Sequence, residues 1–216
     1  MNISENLKNI QTYTSNARII AVTKYVTVDK VVEAYAAGVR DFGENKVQDA
    51  ESKRAGLPEE IEKNSTWHFL GHLQTNKVKK VVGVFDYIHS VDSLKLAKAI
   101  SECAASQNIV QKMFIQVNIA KEESKSGFSP EEVEENFSEI SKLDSINIVG
   151  LMTMAPFTSD FEEQRLVFRG LRELRNLLQE KFNVQLGELS MGMSNDYKIA
   201  VEEGATMVRI GQALFI

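Results

Sequence analysis

One feature limits the possible folds of this chain more than any other. Short apolar runs of strand character alternate, from one end to the other, with segments whose apolar residues recur at helical spacing. Eight runs read as strands: RIIAVT (18–23), DFGEN (41–45), TWHFLG (66–71), YIHSV (87–91), KMFIQVNI (112–119), INIVGLMTM (146–154), GELSM (187–191) and MVRIG (207–211). Seven helical segments separate them: VDKVVEAYAAG, KVQDAESKRAG, NKVKKVVG, SLKLAKAISECAAS, PEEVEENFSEISKL, FEEQRLVFRGLRELRNLLQEKF and DYKIAVEEG. The pattern predicts an α/β fold, a single (β/α)8 TIM-type barrel spanning residues 1–216 as one domain. ISENLKNIQTY forms an extra N-terminal helix, packed outside in place of a helix missing after the eighth strand. The alternative is an open doubly wound sheet, but so many consecutive β/α units favour closure. Runs such as IQVNI and INIVGLM suit parallel strands buried on both faces. Ser129, followed by Pro130 and two glutamates, has the pattern of a helix N-cap.

The net charge of −5, with acidic and basic residues interleaved, argues against nucleic acid as the main ligand. The basic run Asn76–Lys80 reads as a solvated helix face. No apolar run is long enough to span a bilayer, and the N-terminus lacks an apolar signal core. A lone cysteine, Cys103 in a helical pattern, reads as a small buried hydrophobe, and the expected compartment is the reducing cytoplasm. With no heptad or long apolar face, a monomer is expected.

Sites in such barrels lie at the C-terminal strand ends, and the unusual polar residues gather there. Lys24 closes the first strand, Glu44 and Asn45 the second, His68, Gly71 and His72 the third, Asn118 the fifth, and Met152 to Met154 the sixth. LSMGMSND follows the seventh strand and RIGQAL closes the eighth. Gly192 and Gly211 there would let backbone amides approach an anion, with Ser190 and Ser194 as hydroxyl donors, a recurrent phosphate cradle. Ordinary tight turns are the alternative for each motif alone. Two roles suit Lys24. One is a strand-end lysine reaching water, the other an amine of lowered pKa in a low-dielectric mouth that forms a Schiff base with an aldehyde. Together with a phosphate cradle, the second role points to a phosphorylated aldehyde such as pyridoxal 5′-phosphate. Arg209 lies inside an apolar strand and needs a partner: an acidic residue on a neighbouring strand, or the ring nitrogen of that cofactor. His68 and His72, four apart on a strand and turn, lack the helical context of a zinc site, so no metal is expected. His89 reads as a satisfied core or rim histidine, Trp67 as a packing anchor, and Met152, Met154, Met191 and Met193 as core filling.

AVTKY, FGENKVQ, WHFLGHLQTNK, KSGF, GLMTM, LSMGMSND and VRIGQALF resemble, in order, the signature segments of the pyridoxal phosphate homeostasis protein family. That family is similar in fold to the N-terminal barrel domain of alanine racemase. The resemblance implies a barrel that holds pyridoxal 5′-phosphate (PLP) as a Schiff base on Lys24, serving vitamin B6 and amino-acid homeostasis without established turnover. It implies Arg209 facing the pyridine nitrogen, Ser194, Gly211 and Gln212 around the phosphate, and Asn45, His68 and Met152 lining the pocket. Lys125, in SKSGF, matches a lysine near the cofactor. Position 212 is Gln where the family often has Thr, which removes a hydroxyl contact but leaves a backbone N–H.

No catalytic residues are assigned. Racemases of similar fold return the proton with a tyrosine presented by a partner subunit and an additional β domain. This chain ends at the eighth strand, and none of Tyr13, Tyr25, Tyr35, Tyr87 and Tyr197 is obviously placed for that role. The expected function is reversible cofactor binding with delivery to apo PLP enzymes. A racemase-like enzyme, a Schiff-base aldolase-type barrel and a cofactor-sensing regulatory module are the alternatives.

Overall fold

The computed structural model describes residues 2–14, 16–122 and 126–216. Among them eight strands form a closed barrel: β1 (Arg18–Val22), β2 (Asp41–Glu44), β3 (Thr66–Phe69), β4 (Tyr87–Val91), β5 (Gln111–Gln116), β6 (Ile146–Met152), β7 (Glu188–Met193) and β8 (Met207–Ile210). Each pairs in parallel with its sequence neighbour, and β8 returns to β1 through Ile20↔Arg209 and Ala21↔Ile210. The sheet is therefore closed and not doubly wound. The helices are α1 (Ile3–Gln11), α2 (Val28–Ala36), α3 (Val47–Gly56), α4 (Glu59–Lys63), α5 (Leu94–Ser106), α6 (Pro130–Ile140), α7 (Phe161–Phe182), α8 (Tyr197–Glu202) and α9 (Gln212–Phe215).

Local chemistry explains several boundaries. α6 starts at a capping box in which Ser129 and Glu132 each satisfy the other's backbone N–H. α7 begins at Asp160, whose carboxylate accepts from Glu162 and Glu163 N–H, and ends at Asn183 in the left-handed region. Its arginines Arg165, Arg169 and Arg172 all pair with Glu203, which ties α7 to the end of α8.

Three expectations need correction. NKVKKVVG is not an α-helix. Thr75–Lys80 forms a 3-10 helix, a short segment without a side-chain cap at its start. α1 does not replace a missing helix. The short α9 follows β8, and α1 packs beside it, with Asn6 Nδ2 donating to Leu214 O at 3.0 Å. The seventh strand does not stop at Met191. β7 runs through Met193, with Gly192 at φ +90 inside it and a register shift between Ser190 and Met193.

The main core lies between barrel and helices, where Phe42 and Trp67 meet with ring centroids 5.5 Å apart. A second, small cluster of Ile20, Phe114, Met152 and Met207 fills part of the barrel interior. No described helix is long and apolar enough to cross a membrane.

Candidate functional site

Strand alternation sorts the polar residues. On β1, Ile20 faces the interior, so Lys24, four residues on, shares its parity just beyond the strand end. On β2, Asp41 faces the interior through its bond to His68, and Asn45 shares that parity beyond Glu44. Val22 pairs with Gly43, so Lys24 and Asn45 each stand two residues past one paired rung. Gly71 abuts Asn45 so closely that an added Cβ would lie 2.0 Å from Asn45 O. Gly211 faces the end of β1, where an added Cβ would lie 3.5 Å from Val22 O. The ends of β1, β2, β3 and β8 thus form one rim.

Beneath Lys24, on the outer face of the barrel, Lys53 Nζ donates to Glu44 Oε1 and to Thr23 O, both at 2.6 Å. Glu44 is fully buried, and this pair holds the backbone carbonyl just before Lys24. The desolvation expected at Lys24 is not found. The residue is exposed, and its ammonium lies 5.1 Å from the Tyr25 ring centroid.

At the ends of β7 and β8, Ser194 Oγ accepts from Ala213 N at 3.2 Å, joining the loop after β7 to the first turn of α9. Ser194 therefore does not cap α8, whose N-cap is Asp196. Gly211 is the N-cap of α9, and Gln212, its first residue, is exposed. Gly192 is pressed against α8: an added Cβ would lie 2.5 Å from Ala200 Cβ.

Ser190 lies away from this turn, fully buried in the interior. It accepts from Arg209 Nη1 at 2.8 Å and bonds His89 Nδ1 at 2.9 Å. Arg209 Nη2 also donates to Thr153 O at 2.9 Å. Burial pulls the Arg209 guanidinium down to about 10, with Asp196 opposing that shift. His89 Nε2 lies 2.9 Å from His68 Nδ1, and His68 Nε2 lies 3.0 Å from Asp41 Oδ1. Arg18 pairs with the same carboxylate. Burial pushes both histidines below the ordinary imidazole range, His89 far below it. Burial alone would raise Asp41, but hydrogen bonds from His68 and Arg18 outweigh it and hold the carboxyl low.

Of the residues singled out in the sequence, His68, Ser190 and Arg209 come together in the interior. Lys24, Asn45 and Gly211 meet at the rim, and Ser194 and Gln212 stand at the β7–α9 junction. Met152, 2 % exposed, sits in the interior apolar cluster against Leu70 and Met154. Asn118 lies past β5 in a loop, its N–H bonded to Phe128 O. His72 is exposed beside Asp92. Lys125 falls outside the described residues. Sequence reasoning missed Asp41 altogether and read His89 only as a satisfied histidine. The available signal was parity, since His68 and His89 are both the third residue of their strands.

The chain matches, over residues 1–216, the family model described as alanine racemase, N-terminal domain. A pyridoxal phosphate homeostasis protein of Aquifex aeolicus is 44% identical over 200 residues, covering 92% of this chain and 86% of that protein. The solved structure of PipY from Synechococcus elongatus without PLP superposes at TM-score 0.93 and 39% identity, over 99% of this chain and 100% of that one. PipY with PLP bound superposes at TM-score 0.90 and 38% identity, with the same coverage.

Proposed function

This chain belongs to the pyridoxal phosphate homeostasis protein family, built on the alanine racemase N-terminal-domain barrel, and we propose that it binds PLP reversibly and buffers or delivers it within B6 and amino-acid homeostasis. One observation carries this reading: a relative matching the whole barrel is solved with PLP bound, and this chain brings an amine, a buried guanidinium and a glycine–serine junction to its strands β1, β7 and β8. The donor set suits the ligand chemically. A bound PLP supplies an aldehyde carbon, a pyridine nitrogen and a dianionic tail.

In this reading the Lys24 amine attacks the aldehyde carbon, a carbon–nitrogen double bond forms and water leaves. Arg209 faces the ring nitrogen and, keeping its own proton, leaves that nitrogen unprotonated, which weakens the ring as an electron sink. Ser194 and the Gly211–Gln212 backbone hold the phosphate. Asn45 and Met152 border the ring, while His68 acts from behind Arg209. Sustained turnover is not part of the proposal. Tyr25 is chain-adjacent to Lys24, and Tyr87 is stacked on His68 within the barrel, so neither is offered as a second base across the ring. The working unit is taken as the monomer, with apo PLP enzymes as recipients.

Borohydride reduction of the PLP-loaded protein followed by peptide mass mapping tests the attachment. The adduct is expected on Lys24 and absent in Lys24→Ala; an adduct on another lysine would overturn the assignment. Delivery is tested by mixing loaded protein with an apo PLP enzyme. Activity should return faster than with an equal concentration of free PLP, and recovery no faster than that refutes delivery. Racemisation of alanine or serine should stay at the level of free PLP.

A further inference from the structure

The hydrogen bonds inside the barrel form one directed chain. Asp41 is held ionised by Arg18, so its carboxylate can only accept, which requires a proton on His68 Nε2. A neutral His68 then accepts at Nδ1, which requires a proton on His89 Nε2. His89 accepts at Nδ1 from the Ser190 hydroxyl, leaving Ser190 Oγ as an acceptor for Arg209 Nη1. The rings are clamped: His68 stacks on Tyr87 with centroids 4.8 Å apart, and His89 on Phe114 at 4.2 Å. Both histidines and Ser190 are fully buried, so water cannot stand in for any link. The far end is different. Asp41 is 15% exposed and lines a cavity of ≈ 340 Å³ between α1 and the starts of β1 and β2.

We propose that Asp41, the first residue of β2, is a positioning residue for Arg209: through His68, His89 and Ser190 its carboxylate fixes every proton along the chain and thereby the guanidinium that faces the ligand ring. Only the last clause rests on the proposed function; the directed chain exists in the ligand-free protein. The charged groups around it are Arg18 from β1, Asp86 before β4, Lys112 over the Tyr87 ring, and Asp196 and Arg209 at the upper end.

Nitrogen-15 NMR of the ligand-free protein reads the chain directly. Both buried histidines should be neutral with the proton on Nε2 at pH 7; an Nδ1–H form or a doubly protonated ring at either overturns the proposal. Arg18 and His68 share one oxygen of Asp41, Oδ1, so the informative variant removes that acceptor: in Asp41→Leu the His68 Nε2–H loses its partner, and His89 loses its fixed Nε2–H form and populates Nδ1–H, two links away from the substitution. PLP affinity, measured by absorbance titration, should fall about 2- to 30-fold in the same variant. An unchanged His89, or unchanged affinity with a shifted His89, refutes the transmission. Should Asp41→Leu not fold, His68→Phe keeps the stack on Tyr87 and removes the acceptor for His89, and the same two readouts decide. Failure of PLP to bind the unaltered protein would sink the proposed function while leaving the NMR result to judge the chain.

Discussion

Two of the three histidines in this chain are bonded to each other inside the barrel, and both are neutral there. Burial lowers their folded-state proton affinity below that of the unfolded chain. The unfolded state therefore takes up more protons as pH falls below the ordinary imidazole value, and stability drops in that direction. From pH 7.5 to 5.5 each histidine should cost at most about 1.4 kcal/mol, the limit set by the unfolded imidazole, measured as the change in urea-unfolding free energy, and the loss should shrink in His89→Phe. Asp41, whose folded carboxyl is held low, adds a further loss only as pH falls through the acidic carboxylate range. Residue types were legible in the sequence, whereas these pairings were not. Arg209 announced itself as a charge in an apolar strand, but Asp41 and Ser190 are 149 positions apart in sequence and are linked through His68 and His89 by strand order and parity, which composition does not carry. The burial expected for Lys24 failed for a related reason: parity could be read, but how far the residue rises above the rim could not.

Elements were more readable than contacts. α7 matches its expected bounds because an acidic cap, acidic first turn and left-handed C-terminal asparagine mark both ends. The β5 run was read too long because the apolar pattern continues past Gln116, where the chain leaves the ladder and Asn118 bonds Phe128 instead. α4 and α9 are five and four residues long, too short for periodicity to reveal. The rim depends on close backbone approach between elements, which gives a test. In Gly71→Ala the new Cβ would sit 2.0 Å from Asn45 O, a backbone atom that no rotamer change can move, so the ends of β2 and β3 must part. A stability loss of about 1–3 kcal/mol is expected by chemical denaturation, together with weaker PLP binding. Gly187→Ala, with nothing within 4 Å of its added Cβ, should stay within about 0.5 kcal/mol of the parent.

At the scale of the whole molecule, α1 seals the barrel beside α9. It buries Ile3, Leu7 and Ile10 to 1–3 % exposure. Burial of such side chains stabilises by about 1.5–3 kcal/mol each, so the three together rival the total stability of a typical domain. A chain lacking residues 1–13 should show no cooperative thermal transition by circular dichroism; a sharp transition near that of the full chain would show that α1 is dispensable. The pairing of β1 with β8 has a consequence in time. Lys24 leaves the ribosome before β8 is made, and the barrel closes on β1 only once β8 has been added. Vectorial synthesis therefore puts closure of the barrel after the eighth strand, and on the proposed function the vitamin meets the full set of donors only from then on.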